Sequence, residues 1–128
     1  MAHAQASIGT TNYLVSLTAG HHHLSADEGS KLGGGDAGPA PYELLCAALG
    51  ACTAITLRMY AERKGWPLHA AHVDVRFRRE DKVGAIARVL SFEGELDDAQ
   101  RARLADIAER TPVTLTLKQG LAIATTRQ

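Results

Sequence analysis

From Leu44 to Leu57 the chain reads LLCAALGACTAITL, fourteen positions without a charge. Pro41 suits the first turn of a helix, where a missing N–H costs nothing. Gly65 and Pro67 stop one, so a single long helix is expected over residues 41–64. A helix that is apolar around its whole circumference is buried. One small antiparallel sheet covers only one side of it, and the remaining chain is too short to cover the rest. The pattern therefore predicts a homodimer in which two copies of this helix pack near a shared axis, with a sheet outside each. The run falls short of the roughly 18 residues that suggest a membrane span. No basic start followed by an apolar run opens the chain, so a cytoplasmic protein without a membrane partner is expected.

The other elements follow from period and punctuation. Residues 11–19 alternate Tyr13, Val15, Leu17 and Ala19 against Asn12, Leu14, Ser16 and Thr18, roughly the period of a half-buried strand, and a short strand through His21–Ala26 would pair with them. Five glycines and two prolines in residues 29–41 predict a flexible loop. Val73, Val75 and Phe77 alternate with Asp74, Arg76 and Arg78 in one strand; Leu90, Phe92 and Leu96 alternate with Ser91, Glu93 and Glu95 in a second, over residues 85–96. A turn near Asp81–Gly84 makes these a hairpin. Asp97 with Gln100 has the spacing of a capping box, Leu104, Ile107 and Ala108 form the apolar stripe of a second helix, and Thr111 before Pro112 ends it. In the β-branched tail, Leu121–Thr126 after Gly120 reads as a last strand. The fold class is α+β, in one domain over residues 1–128.

With 14 basic and 14 acidic residues, the chain has no excess of cations to release counterions from a nucleic acid, so that partner is not expected. Its 45% apolar and 22% charged content is that of a globular protein. Cys46 and Cys52 cannot form a disulfide framework and read as free thiols. Six residues apart on one helix, they point about 120° apart with Cα atoms about 9 Å apart, too far to bridge within it. The ordinary reading of each is a small buried hydrophobe. Around Cys52 the helix offers only Ala48, Leu49, Ile55 and Thr56, so anything that activates this thiol must come from another element.

Two other clusters invite a functional reading. His21 and His23 would share one strand face and could reach one ion, but two ligands without a defined third describe an exposed polar edge, and no metal or other cofactor is assigned. The run GGGDAGP lacks the lysine and spacing of a phosphate loop. Arg58, Arg63 and Lys64 complement the dipole at the C-terminal end of the long helix.

Residues 27–68, DEGSKLGGGDAGPAPYELLCAALGACTAITLRMYAERKGWPL, resemble the OsmC/Ohr family of osmotically inducible and organic-hydroperoxide-resistance proteins. The Gly-Pro-x-Pro-x-Glu-Leu-Leu opening of the helix, Cys52 in its Gly-Ala-Cys-Thr step, and Arg58-Met59-Tyr60-Ala61 followed by Lys64-Gly65 carry the likeness. The resemblance implies an OsmC-like fold, with antiparallel sheets wrapped around long central helices in an intertwined homodimer. It also implies a thiol peroxidase in which Cys52 attacks an organic hydroperoxide and a second cysteine resolves the sulfenic acid, aided by an Arg–Glu pair. Three positions depart from that pattern. Thr111 stands where the second cysteine belongs, Glu43 lies one residue beyond the activating carboxylate, and the first arginine is Arg58, with Lys31 the only earlier lysine.

Two functions therefore stay open. In the first, Cys52 is the nucleophile of a hydroperoxide reductase that needs an external thiol reductant, with Glu43 as polarising carboxylate and Cys46 as a possible secondary thiol across the dimer axis. In the second, the protein is a non-catalytic binder of a small hydrophobic molecule in a cleft at the dimer interface.

Overall fold

The computed structural model describes residues 1–128. In chain order the elements are β1 (Ala4–Ile8), β2 (Val15–Ala19), β3 (His22–Ala26), a 3-10 turn (Ser30–Leu32), α1 (Pro41–Lys64), β4 (Ala70–Glu80), β5 (Val83–Glu93), α2 (Asp98–Ala108) and α3 (Pro112–Gln119). The architecture is α+β, with two antiparallel sheets and three α-helices. The chain forms two compact units, Met1–Leu45 and Cys46–Gln128.

The first unit is a meander in the order β1-β2-β3, with Ala6 opposite Leu17 and Leu17 opposite Leu24. Its first strand, AQASI, alternates Ala4, Ala6 and Ile8 with Gln5 and Ser7, but the signal is weak because alanine is a poor strand former and only Ile8 is β-branched. β2 starts at Val15, later than the alternation suggests, because Leu14 N–H donates to Thr11 O and closes a turn. His21 lies in the turn before β3.

The glycine-rich loop is pinned rather than flexible. Asp27 is 3% exposed, and its carboxylate accepts four backbone N–H bonds: Tyr13 at 3.1 Å and Glu28 at 2.8 Å on Oδ1, Gly35 at 3.2 Å and Ala37 at 3.1 Å on Oδ2. A Cβ at Gly34 would collide with Glu28 O and one at Gly38 with Ser25 O, so close approach of backbone to backbone requires glycine at both. The Ala37 N–H bond is the foremost cause that holds the Asp27 carboxyl below its ordinary 3.8; burial opposes it, and the Glu28, Tyr13 and Gly35 bonds add to it. A depressed folded-state value means that this stabilisation is complete above the unfolded carboxylate value and is lost as pH falls below it through the folded one. Asp27→Asn, which replaces one acceptor oxygen by a donor, should lower the melting temperature at pH 7, and by less at pH 3, where protonation of the unfolded carboxyl has removed part of this stabilisation. Thermal melts at the two pH values check this; a variant as stable as wild type at pH 7 would refute it.

In the second unit, β4 and β5 form a long hairpin, with Val73 opposite Leu90 and Phe77 opposite Ile86. Asp81 and Lys82 close it with φ of 49° and 67°, the two positive values of a two-residue turn whose twist matches the strands. The alternation seen in sequence is the burial pattern observed: Val73, Val75 and Phe77 face inward beside Ile86, Leu90 and Phe92. β5 ends at Glu93, before Gly94 at φ 138°, where a Cβ would collide with Pro67 O. The core is Leu57, Ala61, Leu68, Leu96, Leu104 and Ala108, with Leu90 and Phe92 packed against it.

α2 opens with the expected capping box: Asp97 Oδ1 accepts from Gln100 N–H at 2.7 Å, and Gln100 Oε1 accepts from Asp97 N–H at 2.9 Å. The tail differs from expectation. Residues 112–119 are helical, because Thr111 caps the N-terminus and Pro112 takes the first position, where local signals outweigh β-branching. Gly120 at φ 77° ends α3, and residues 121–128 hold no regular structure. The strand expected at Leu121–Thr126 is therefore absent, since these residues pair with no other strand of the chain.

Only one stripe of α1 is sealed in the protomer: Leu49, Thr53, Leu57 and Ala61, each four residues from the last. At Gly50 the helix lies beside β4, where a Cβ would make an ordinary van der Waals contact with Val75 Cγ2 at 3.5 Å. By length and hydropathy over the whole helix, α1 would qualify as a membrane span, a wider measure than the uncharged run alone. Its stripe instead packs into the core with β5 and α2.

Candidate functional site

Both thiols are free and half-buried, and no hydrogen bond or ion pair engages either within the protomer. Cys46, seven residues before Thr53, is in line with the sealed stripe of α1. Cys52, directly before Thr53, is turned about 100° away from it. It borders the face on which Ala48, Ala51, Ile55 and Met59 are exposed. Local sequence explains the uncharged surroundings of Cys52: its helical neighbours are Ala48, Leu49, Ile55 and Thr56, and none is titratable.

Glu43, in the first turn of α1, accepts from Ala40 N–H at 2.9 Å through Oε1, so its carboxylate caps the helix N-terminus. Arg58 does more than complement the helix dipole: its Nη1 donates to Leu68 O at 2.6 Å and its Nη2 to His69 O at 3.3 Å, fastening the strand approach to the helix. His21 and His22 stack with ring centroids 4.1 Å apart, and His23 Nδ1 lies 3.4 Å from Thr18 Oγ1. No group of three or more His, Cys, Asp or Glu side chains is placed to hold an ion.

Thr111 is fully buried, and its hydroxyl lies 2.6 Å from Thr114 Oγ1. Thr114 belongs to a larger network that the sequence reading missed. Arg88, on β5, has a side chain only 12% exposed. Its Nη1 donates to Thr53 Oγ1 and to Thr114 Oγ1, both at 2.9 Å, and its Nη2 donates to Ala108 O at 2.9 Å. Thr53 Oγ1 in turn donates to Leu49 O at 2.7 Å. One guanidinium thus joins the turn of α1 that follows Cys52, the end of α2 and the first turn of α3. A signal for it was present: Arg88 shares strand parity with Ile86, Leu90 and Phe92, a lone cation in an apolar row.

A long apolar helix carrying a half-buried thiol, laid against an antiparallel hairpin and two short helices, defines the class of α+β proteins to which this fold belongs. Residues 33–126 match the family model described as OsmC-like protein, and the chain belongs to that family. Among solved structures it is similar to an OsmC-like protein of Mycoplasma pneumoniae, at TM-score 0.80 and 15% identity, covering 92% of this chain and 87% of that one. It is also similar to an organic hydroperoxide resistance protein of Legionella pneumophila, at TM-score 0.66 and 21% identity over 92% and 89% of the two chains. A third, an organic hydroperoxide resistance protein of Bacillus subtilis, gives TM-score 0.62 and 20% identity over 91% and 90%. At these identities the likeness establishes the fold. No curated protein sequence matches the chain.

Proposed function

We propose that the protein serves in oxidative-stress defence as a thiol-dependent reductase of organic hydroperoxides, with Cys52 as nucleophile. The observation that carries this reading is the position of an unengaged, half-buried thiol at Cys52 of the long helix, in the Gly-Ala-Cys-Thr step of an OsmC-like chain. The hydroperoxide-resistance names of two structural relatives support it. The Cys52 thiolate attacks the terminal peroxide oxygen; an S–O bond forms as O–O breaks, and the departing alkoxide takes a proton to become the alcohol. The sulfenic acid then needs an external dithiol, since Thr111 supplies no resolving thiol: one sulfur displaces water to form a mixed disulfide, and the second releases Cys52. Glu43 is the candidate polarising carboxylate and Cys46 the candidate secondary thiol.

The acting form is proposed to be a homodimer. α1 leaves Ile55 54% and Met59 57% exposed, and the first unit exposes Ile8 and Leu32. A second copy of the chain would cover such apolar faces. The free thiols suit a reducing compartment, which points to the cytoplasm. The replacement of the second cysteine by Thr111 within a closed hydrogen-bond network favours the other reading, a binder of small hydrophobic molecules that lacks turnover.

The test is consumption of an aromatic or lipid hydroperoxide by the full chain with excess dithiol, beside Cys52→Ser, Cys46→Ser and Glu43→Gln. Turnover abolished by Cys52→Ser alone establishes a one-cysteine reductase. Loss in both cysteine variants assigns Cys46 the second thiol role. A rate no higher than the dithiol background would overturn the reading in favour of a binder.

A further inference from the structure

The inner face of the β4–β5 hairpin and the α2–α3 corner enclose a groove of about 880 Å3, a size that suits small-molecule sites. Leu49, Phe77, Ile86, Leu90 and Leu117 line it, and neither cysteine does. Its polar groups are gathered around one carboxylate. Glu109 Oε2 lies 3.1 Å from Lys118 Nζ and 3.6 Å from Arg88 Nη2, so two cations share one anion, with Thr114 beside them. Arg88 completes the arrangement. Four of its five N–H groups face Thr53, Thr114, Ala108 and Glu109, while Nε–H has no acceptor within the chain and is not sealed from solvent.

We infer that this groove binds a monoanionic amphiphile, a carboxylate with an unbranched hydrocarbon tail, at a site separate from Cys52. The tail replaces water along the leucine, isoleucine and phenylalanine lining. The head meets a cluster carrying one positive charge in excess, with Lys118 and the Arg88 Nε–H as donors. A cationic head would be repelled there, and a neutral alcohol would gain no charge-assisted bond. The inference does not depend on Cys52 chemistry.

Isothermal titration calorimetry of the full chain with dodecanoate, dodecan-1-ol and dodecyltrimethylammonium, each below its micelle-forming concentration, tests it. Dodecanoate should bind at one site per chain, and the ammonium compound should not bind. Lys118→Glu, at an exposed position, should weaken dodecanoate by about tenfold, as loss and reversal of a charge-assisted contact does. Cys52→Ser should bind dodecanoate as wild type does, which separates this site from the peroxide chemistry whether or not that chemistry is found. Equal binding of alcohol and carboxylate, untouched by Lys118→Glu, would show simple apolar adsorption and overturn the proposal. So would absence of dodecanoate binding to a dimer, which would show the groove closed by the second copy.

Discussion

Arg88→Met should lower the unfolding free energy by about 3 kcal/mol, the cost of breaking a buried polar network from one side. The methionine fills most of the arginine's apolar volume, so the loss is chiefly of donors. Three acceptors on three elements depend on the guanidinium: Thr53 Oγ1 on α1, Thr114 Oγ1 on α3 and Ala108 O at the end of α2. Each is left short of a donor in a place water reaches poorly, at about 1–3 kcal/mol apiece. The figure sits at the low end of their sum because Thr114 Oγ1, 3.3 Å from Ala108 O, can still donate to that carbonyl. Glu109 contributes little, since its carboxylate is exposed and pairs with Lys118 in any case.

Arg88→Lys should recover only part of the loss, because one ammonium cannot replace a planar fork that spans three elements. The double variant Arg88→Met with Thr53→Val should lose less than the two single losses combined, as expected for groups in one network. Urea denaturation of wild type, the three single variants and the double variant measures all of this. A loss under about 1 kcal/mol for Arg88→Met would mean that the network is no brace and that the threonine hydroxyls satisfy one another.

Arg88 also shows where reading a sequence stops. The hairpin, the long helix and the capping box were legible because each is encoded within about a dozen residues, by alternation, by Pro41 and Gly65, or by the Asp97–Gln100 spacing. Arg88 was hidden by its own strand, whose inward row was set by Leu90 and Phe92; what pairs with it is 35 residues away at Thr53 and 26 away at Thr114. Asp27 was missed for a similar reason, since its four donors come from a turn and a loop that no period describes. The tail failed in the opposite direction. Thr and Val in PVTLTLKQ favour a strand, yet a capping threonine followed by proline starts a helix, and a strand needs a partner that local sequence cannot supply. At the candidate site, the motif located Cys52 on α1, while what faces its thiol is not a local property of the helix.

Leu57→Ala should cost about 3–4 kcal/mol, in the middle of the range for truncating a sealed leucine. Leu57 has no solvent-accessible surface and sits in the cluster that joins α1 to Leu68, Leu96 and Leu104, so a cavity there has walls from four elements or connections and little freedom to collapse. Its neighbour two residues back, Ile55, lies on the exposed face of the same helix. Within one protomer Ile55→Ala removes little buried surface, and its cost should be within about 0.5 kcal/mol. In a dimer that covers this face the same change creates a second cavity, with a cost approaching that of a buried isoleucine, about 2–5 kcal/mol, and a midpoint that rises with protein concentration. Comparing the two variants in chemical denaturation at several protein concentrations therefore separates the helix's two faces. A small, concentration-independent loss for Ile55→Ala beside a large one for Leu57→Ala would mean that α1 is buried on one side only and that Cys52, at the border of the exposed face, faces water; large losses in both, with the Ile55→Ala loss tied to concentration, would place Cys52 at the margin of a subunit interface.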